Sequence, residues 1–264
     1  HWNDVTPQGI ATMTKISSLD VSAPQAGSVY AAADNHRNDD FAPHVWRTRD
    51  GGKTWQEVDQ GLPPDHYVSV VRADPVRAGL LYAGTDAGVY VSFDDGDHWQ
   101  SLQLNLPTAW ARDLLVHGDD LVVATQGRAV WVLDDLSALR QWNAGIAAQP
   151  LHLFKPADAL RVHANNNKDT PLPPETPLGK NPPDGAIIDY SLGAGTRGPV
   201  TIDILDSNGK VVRHYASDAR PEDARAERYF DADWLQPEKM PEATPGLHRF
   251  VWNLRYPRPR AASY

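Results

Sequence analysis

The segment TRDGGKTW (residues 48–55) returns as SFDDGDHW (residues 92–99), displaced by 44 residues, and both copies fit the pattern Ser/Thr-x-Asp-x-Gly-x-x-Trp. The same displacement carries Gly61-Leu62-Pro63 onto Asn105-Leu106-Pro107. A proline, a glycine and a β-rich run precede each copy. The chain therefore contains at least two copies of one structural unit.

Each copy alternates apolar and polar residues in four short runs, which predicts four β-strands per unit. In the second unit the predicted strands cover residues 68–72, 80–84, 88–93 and 98–102. A third, weaker copy keeps the strand-like runs 114–116, 121–125 and 129–135 but lacks the Gly and Trp of the motif. A four-stranded repeat of about 40 to 45 residues has the size of one propeller blade. No repeat carries the helical spacing of a solenoid.

The motif resembles the Asp-box of BNR-repeat β-propellers, a family that includes sialidases, xyloglucan-degrading glycoside hydrolases, sortilin-type receptors and photosystem-assembly-factor-like proteins. The likeness covers about residues 14–140. It implies an all-β fold, with a partial propeller of about three four-stranded blades in residues 1–161. Closed propellers need about four to eight blades. We therefore expect the remaining blades to come from another chain, another fragment or a symmetry mate, and His1 to mark a break inside a larger protein.

The second half of the chain differs in composition. Six prolines lie within residues 171–183, which predicts an extended linker over residues 162–183. Strand patterns resume at residues 186–192, 200–205, 210–215 and 247–254, with one short helix expected at 222–228. Residues 184–264 resemble the small immunoglobulin-like sandwich that follows the propeller in large secreted bacterial BNR-repeat proteins. The resemblance thus implies a second all-β domain.

The motif itself predicts turn structure and no metal site. Its acidic residues suggest a calcium loop, but an EF-type loop needs a bidentate Glu at its twelfth position, and residues 91–104 contain none. Asp side chains in such turns accept hydrogen bonds from their own backbone, glycines adopt positive φ, and the tryptophans pack between strands. The predicted structural residues are Thr48, Asp50, Gly52, Trp55, Ser92, Asp94, Gly96 and Trp99.

Ligand sites of the family lie on the face opposite the Asp-box, where the loops between strands two and three and between blades emerge. Here those loops are residues 35–44, 63–67, 85–87, 108–112 and 126–128, and the first is the longest. A glycosidase needs two carboxylates about 5 to 10 Å apart, and the candidates are Asp39, Asp40 and Asp86. The candidate ligand contacts are His36, Arg37, His44, His66, Tyr67, Trp110, Arg112 and Arg128.

Composition and motifs exclude several functions. The formal net charge is −9 and no Lys/Arg block occurs, which disfavours nucleic-acid or anionic-membrane binding. The chain has no cysteine and no apolar run near the roughly 18 residues of a membrane span. Metalloprotease, esterase and phosphate-loop motifs are missing. The Phe/Tyr-Arg-Ile-Pro motif of sialidases is also missing, so a sialidase is disfavoured.

Two functions remain open at this point. The leading prediction is a secreted or periplasmic protein whose loop face is directed at a glycan, and a glycoside hydrolase if the loop carboxylates pair across the sugar. The alternative is a non-catalytic, protein-binding or assembly propeller of the sortilin-like or assembly-factor-like kind. Neither needs a cofactor. A hydrolase should lose turnover on Asp39→Asn or Asp40→Asn, whereas a binding propeller should show no turnover.

Overall fold

The protein, described here by a computed structural model over residues 1–161, 179, 181–220 and 238–257, is all-β and built from small antiparallel sheets. Its first 140 residues form one compact unit. The strands of this unit are β1 (Lys15–Val21), β2 (Val29–Asp34), β3 (His44–Thr48), β4 (Gln56–Glu57), β5 (Val68–Ala73), β6 (Leu81–Thr85), β7 (Val89–Ser92), β8 (Gln100–Ser101), β9 (Ala111–His117), β10 (Asp120–Thr125) and β11 (Val130–Leu133).

These strands form three sheets in chain order. The first two are four-stranded meanders with the orders β1-β2-β3-β4 and β5-β6-β7-β8, and the third has the order β11-β10-β9. The four strands predicted for the second repeat are thus present, although the fourth has only two residues. The weaker third copy also forms strands. Consecutive meanders are the arrangement expected of propeller blades, while the number of blades in a closed ring stays a prediction.

The sheets pack face to face, and the second is buried on both sides. Leu81 and Ala83 of β6 belong to the core shared with the first sheet, whereas Leu80 and Tyr82 belong to the core shared with the third. Successive side chains of a strand point to opposite faces. All five residues of β6 are buried, so this strand is covered on both faces.

The residues of the repeated motif make hydrogen bonds within their own turns. In the first copy, the Asp50 carboxylate accepts hydrogen bonds from the backbone N–H groups of Lys53 (3.0 Å) and Thr54 (2.9 Å) and from the Thr54 hydroxyl (2.7 Å). The Thr48 hydroxyl oxygen accepts from the Gly52 N–H at 2.9 Å. Asp94 and Ser92 make the matching bonds in the second copy. The motif closes the hairpin between the third and fourth strands.

This turn makes the first unit sensitive to acid. Hydrogen bonds from the backbone and hydroxyl of Thr54, with one from the Thr48 hydroxyl, lower the pKa of Asp50 to about 2. Because that pKa lies below the usual value of about 3.9, the contribution of Asp50 to stability is present above pH 4 and is lost as the pH falls towards 2. Measuring the Asp50 pKa by carbonyl NMR checks this. A value near 4 would contradict it, and Asp50→Asn should remove this part of the acid dependence.

The second unit, Gln141–Tyr264, has two sheets in its described part. One has the order β12-β13-β16 and the other pairs β14 with β15, and residues from both form one core that includes Tyr190, Tyr215 and Phe250. An immunoglobulin-like topology stays a prediction. The helices and strands are α1 (Ser137–Gln141), which ends at the start of this unit, α2 (Ala144–Ala147), β12 (Leu151–Leu153), β13 (Ala186–Leu192), β14 (Thr201–Leu205), β15 (Val211–Ala216) and β16 (Gly246–Trp252).

The boundary between the units lies earlier than the predicted residue 162. Strand β12 pairs with β13 through Leu151↔Leu192 and Leu153↔Tyr190, so residues 151–153 belong to the sheet of the second unit. From the sequence alone, residues 145–161 are predicted to be a segment that leaves the first unit, because no local pattern shows which sheet they join. The expected helix at 222–228 and most of the proline-rich linker lie outside the described residues. No helix in the described ranges is long and apolar enough to cross a membrane.

Candidate functional site

A polar cleft of about 200 Å³ opens where the first strands of the three sheets, β1, β5 and β9, begin. Lys15 and Ser17 lie on β1, Ser69 on β5, and Arg112 on β9. In successive meanders the first strands run in the same direction, so their starts meet at one end of the unit. This is the end predicted for the ligand loops. The lining residues are Met13, Lys15, Ser17, Asp34, Asn35, His36, Arg37, Asn38, Ser69, Trp110 and Arg112.

The long loop after β2 forms one wall of the cleft. Asp34 ends the strand, and a short 3-10 helix follows at His36–Asn38. Asp39 stops this helix with φ 61°, a left-handed conformation that Asp tolerates better than most residues, and its N–H bonds the His36 carbonyl. The loop therefore turns back early and holds His36 and Arg37 against the cleft.

Asp34 and His36 form a fixed pair in this wall. The Asp34 carboxylate is buried and lies 2.5 Å from His36 Nδ1 and 3.2 Å from the His36 backbone N–H. The His36 ring stacks on Tyr67 with 4.5 Å between ring centroids. Because a carboxylate only accepts hydrogen bonds, it assigns the proton to Nδ1. The imidazole is thus held in one orientation by its carboxylate and by an aromatic ring.

Trp110 and Arg112 form the opposite wall. The indole Nε1–H donates to the Ser69 hydroxyl at 2.5 Å, and Tyr67 meets the indole edge-on at 5.5 Å. The Arg112 guanidinium carbon lies 3.9 Å from the Trp110 ring centre. Stacking of this kind covers one face of the indole. The guanidinium N–H groups lie in the guanidinium plane and take no part in the stacking.

The cleft is electropositive in a protein that is acidic overall. Lys15, Arg37 and Arg112 line it, whereas Asp34 is the one carboxylate among its lining residues, and His36 engages it. The three cationic side chains favour an anionic ligand, because the electric field is concentrated in clefts walled by low-dielectric protein. In the part of the chain that the structure describes, no group of three or more His, Cys, Asp or Glu side chains could hold a metal ion.

The three acids predicted for catalysis lie elsewhere. Asp39 is exposed at the loop tip. Asp40 accepts hydrogen bonds from Asn35 Nδ2 (2.9 Å) and His44 Nε2 (3.1 Å), which lower its pKa and keep it ionised. Asp86 pairs with His66 Nδ1 at 3.0 Å. None of the three lines the cleft: Asp39 and Asp40 follow the 3-10 helix that faces it, and Asp86 lies on another loop, between β6 and β7.

The predicted ligand contacts divide into two groups. His36, Arg37, Trp110 and Arg112 line the cleft, and Tyr67 supports His36 from behind. The others do not line it. His44 pairs with acidic residues, His66 pairs with Asp86, and Arg128 is exposed on a loop where its carbonyl accepts from Trp131 Nε1 at 2.7 Å.

Sequence reasoning missed seven lining residues: Met13, Asn35 and Asn38, and four strand residues, Asp34, Lys15, Ser17 and Ser69. These four lie within strands or at their ends, so a prediction restricted to the loops does not include them. The one local signal is the spacing of Asp34 and His36, because an Asp side chain commonly caps the backbone N–H two residues later.

Comparisons with known proteins find similarity in structure only. No family model and no curated protein matches the chain. YCF48 bound to a D1 peptide matches at 18% identity over 46% of this chain and 37% of that one, with a TM-score of 0.35. The GH74 xyloglucanase from Xanthomonas campestris matches at 19% identity over 53% and 25%, with a TM-score of 0.35. An ancestral GH74 enzyme matches at 19% identity over 77% and 27%, with a TM-score of 0.39. The chain spans about a quarter to two-fifths of the length of these proteins.

Proposed function

We propose that the cleft binds an anionic ligand without hydrolysing it, and that this ligand is an acidic segment of a partner protein. The observation that carries the proposal is the charge of the lining: Lys15, Arg37 and Arg112 converge there, and the one carboxylate among the lining residues is occupied by His36. Arginine is well suited to carboxylates because its planar fork donates two parallel hydrogen bonds.

Hydrolysis of a glycan is the weaker alternative on these grounds. A retaining or inverting glycosidase needs two carboxyl groups across the scissile bond. Asp34 has no second carboxylate beside it among the lining residues, and it is buried beneath His36. Asp40 and Asp86 are each paired with a histidine away from the cleft. The residues thus supply binding groups but not an acid and base pair.

A peptide fits the walls better than a neutral sugar. Sugar sites commonly offer an open aromatic face, yet Arg112 covers one face of Trp110 and Tyr67 meets its edge. An acidic side chain or a terminal carboxylate could instead meet the Arg112 fork and the Lys15 ammonium from the open side. Because the rest of the protein is acidic, such a ligand is attracted to this cleft and repelled elsewhere.

Replacing Arg112 tests the proposal directly. We expect Arg112→Gln to weaken binding of an Asp/Glu-rich peptide at least tenfold, because a charge-assisted pair is lost, about 1.4 kcal/mol or more. Isothermal titration of the full chain at low and at physiological salt measures this, and binding should weaken with salt. Arg128→Gln is the matched control, since Arg128 is exposed on another loop and should have no effect.

The same protein should release no reducing ends from xyloglucan or from an acidic polysaccharide. Two results would contradict the proposal. The first is an affinity for the acidic peptide that does not change in Arg112→Gln. The second is polysaccharide turnover that disappears in Asp40→Asn, which would restore the glycosidase interpretation.

A further inference from the structure

His44, the first residue of β3, bridges two carboxylates outside the cleft. Its Nδ1 lies 2.7 Å from Glu57 Oε1 on β4, and its Nε2 lies 3.1 Å from Asp40 Oδ2 on the loop after β2. An ionised carboxylate only accepts hydrogen bonds, so each ring nitrogen must donate. A neutral imidazole has one N–H group and can satisfy one of the two. The observed geometry is therefore that of the imidazolium.

We propose that protonated His44 is a latch that holds the loop of residues 35–43 against the first sheet and so sets the affinity of the cleft for its anionic ligand. The effect on ligand affinity rests on the proposed function, whereas the effect on the loop does not. It goes beyond that function by naming a positioning residue that does not touch the ligand and that makes binding depend on pH.

The latch reaches the cleft through Asn35. Asp40 accepts a hydrogen bond from Asn35 Nδ2 at 2.9 Å, and Asn35 Oδ1 accepts from Asn38 Nδ2 at 2.7 Å and from the Thr14 hydroxyl at 3.1 Å. Asn35 is buried and lines the cleft. It also lines a neighbouring cavity of about 110 Å³, whose walls include His44 and Asp40. Its neighbours His36, Arg37 and Asn38 form the cleft wall. A shift of Asp40 is therefore passed to the residues that would meet the ligand.

The charges around His44 make its proton important. The ionisable groups facing it are Asp40 from the loop and Glu57 from β4. The other residues that line this cavity are uncharged: Gly9, Ile10, Ala11 and Thr14 of the N-terminal segment, Ala33 of β2, Asn35 of the loop and Trp46 of β3. Without the proton, two carboxylates would face a neutral ring that can donate to only one of them. The Asp40 side of the bridge would then open, because Asp40 lies on a loop, whereas Glu57 lies on a strand that is paired with β3.

The direction of the pH effect follows from the pKa of His44. Burial opposes the charge, but the hydrogen bonds from the ring to Glu57 and Asp40 outweigh it, so the pKa of His44 is raised above its usual value of 6.5. A raised pKa means that the contribution of the latch is complete below about pH 6.5. That contribution is lost as the pH rises through the raised value. Affinity for an acidic ligand should fall over the same interval.

Two measurements on the full chain test the latch. The first is an NMR titration from pH 5 to 9 of the His44 ring nitrogens and of the backbone amides of residues 36–42. We expect the amides to shift with the same midpoint as His44. The second is the affinity for the Asp/Glu-rich peptide at pH 6 and pH 8.5, which we expect to fall three- to tenfold as the pH rises.

Variants separate the latch from the other histidines. His44→Gln should bind at pH 6 as weakly as the natural protein binds at pH 8.5, and most of its pH dependence should be gone. His66→Gln is the matched control, because His66 pairs with Asp86 away from this loop, and its pH dependence should be unchanged.

The outcomes distinguish the two proposals. The latch is overturned if the loop amides do not follow His44, or if His44→Gln keeps the full pH dependence of binding. If the amides follow His44 but the peptide binds at neither pH, the ligand assignment fails, and the latch stands as a property of the loop alone. Urea unfolding of His44→Gln at pH 6 ensures that weak binding does not reflect an unfolded protein.

Discussion

Replacing Asp95 with alanine should lower the free energy of unfolding of the first unit by about 3 kcal/mol, because it would remove a carboxylate that Tyr30, Arg47 and Arg49 share. Arg47 of the first sheet is 3% exposed, and its Nη1 donates to the Asp95 carbonyl at 2.5 Å and lies 3.2 Å from the Asp95 carboxylate. Arg49 approaches the same carboxylate at 2.6 Å. The Tyr30 hydroxyl also donates to it.

Asp95 thus links two sheets from within a turn. It lies between β7 and β8 of the second sheet, whereas Tyr30, Arg47 and Arg49 come from the first. Burial and the Asp95 carboxylate raise the pKa of Tyr30, so its hydroxyl stays a donor over the whole ordinary pH range. We place the effect near the lower end of the range for broken buried pairs, because Asp97 remains 3.0 Å from Arg47.

Urea unfolding followed by tryptophan fluorescence checks the prediction for Asp95. Asp95→Asn is the conservative variant, since Asn also tolerates the positive φ of 68° at this position while removing the charge. Asp97→Ala is the matched control and should cost less than about 1 kcal/mol, because the Asp97 side chain is half exposed. If Asp95→Ala and Asp97→Ala were equally mild, the proposed link between the sheets would be wrong.

Replacing Trp99 with alanine should cost about 3 to 5 kcal/mol, the usual range for removing a large aromatic side chain from a core. Trp99 is 5% exposed and belongs to the core between the first two sheets. Its Nε1–H donates to the Val58 carbonyl at 2.8 Å, and its backbone N–H donates to the Gln60 carbonyl at 2.8 Å. Both partners lie in the connection between the sheets, so the indole fixes that connection as well as filling the core.

Trp55 occupies the same motif position in the first copy and serves as the matched control. Its side chain is only half-buried, and its Nε1–H donates to the Val5 carbonyl of the N-terminal segment at 2.8 Å. We therefore expect Trp55→Ala to cost about 1 to 2 kcal/mol. The comparison uses the same urea titration. Equal losses of stability at the two positions would contradict the prediction that burial between the sheets makes Trp99 the more costly residue to replace.

Much of the fold could be predicted from the sequence because the signals are local. Alternation with period two marks strands such as β14, and the repeated motif marks the hairpin through bonds that Asp50 and Asp94 make within their own turns. The assignment of β12 could not be predicted, because its partner β13 lies more than 30 residues further along the chain.

The candidate site could be predicted only in part. Counting strands indicated which loops share one end of the unit, and two of them line the cleft: residues 35–44 through His36 and Arg37, and residues 108–112 through Trp110 and Arg112. The choice of Asp39, Asp40 and Asp86 as catalytic residues is the part that the geometry does not favour. An acidic residue in a long loop has the same appearance in sequence whether it faces a ligand or a histidine.

The sequence by itself determined the repeat, the strand order within each meander and the turn at the repeated motif, because these depend on neighbours within a few residues. Only the tertiary structure decided what the charged residues do. Asp95 stands where the first copy has Gly51, and nothing local shows that it meets Tyr30, 65 residues earlier. Likewise, Ser69 and Trp110, 41 residues apart, are joined by a hydrogen bond that no local pattern indicates. Charge and hydrogen bonding act through space, so their partners are set by packing and not by order along the chain.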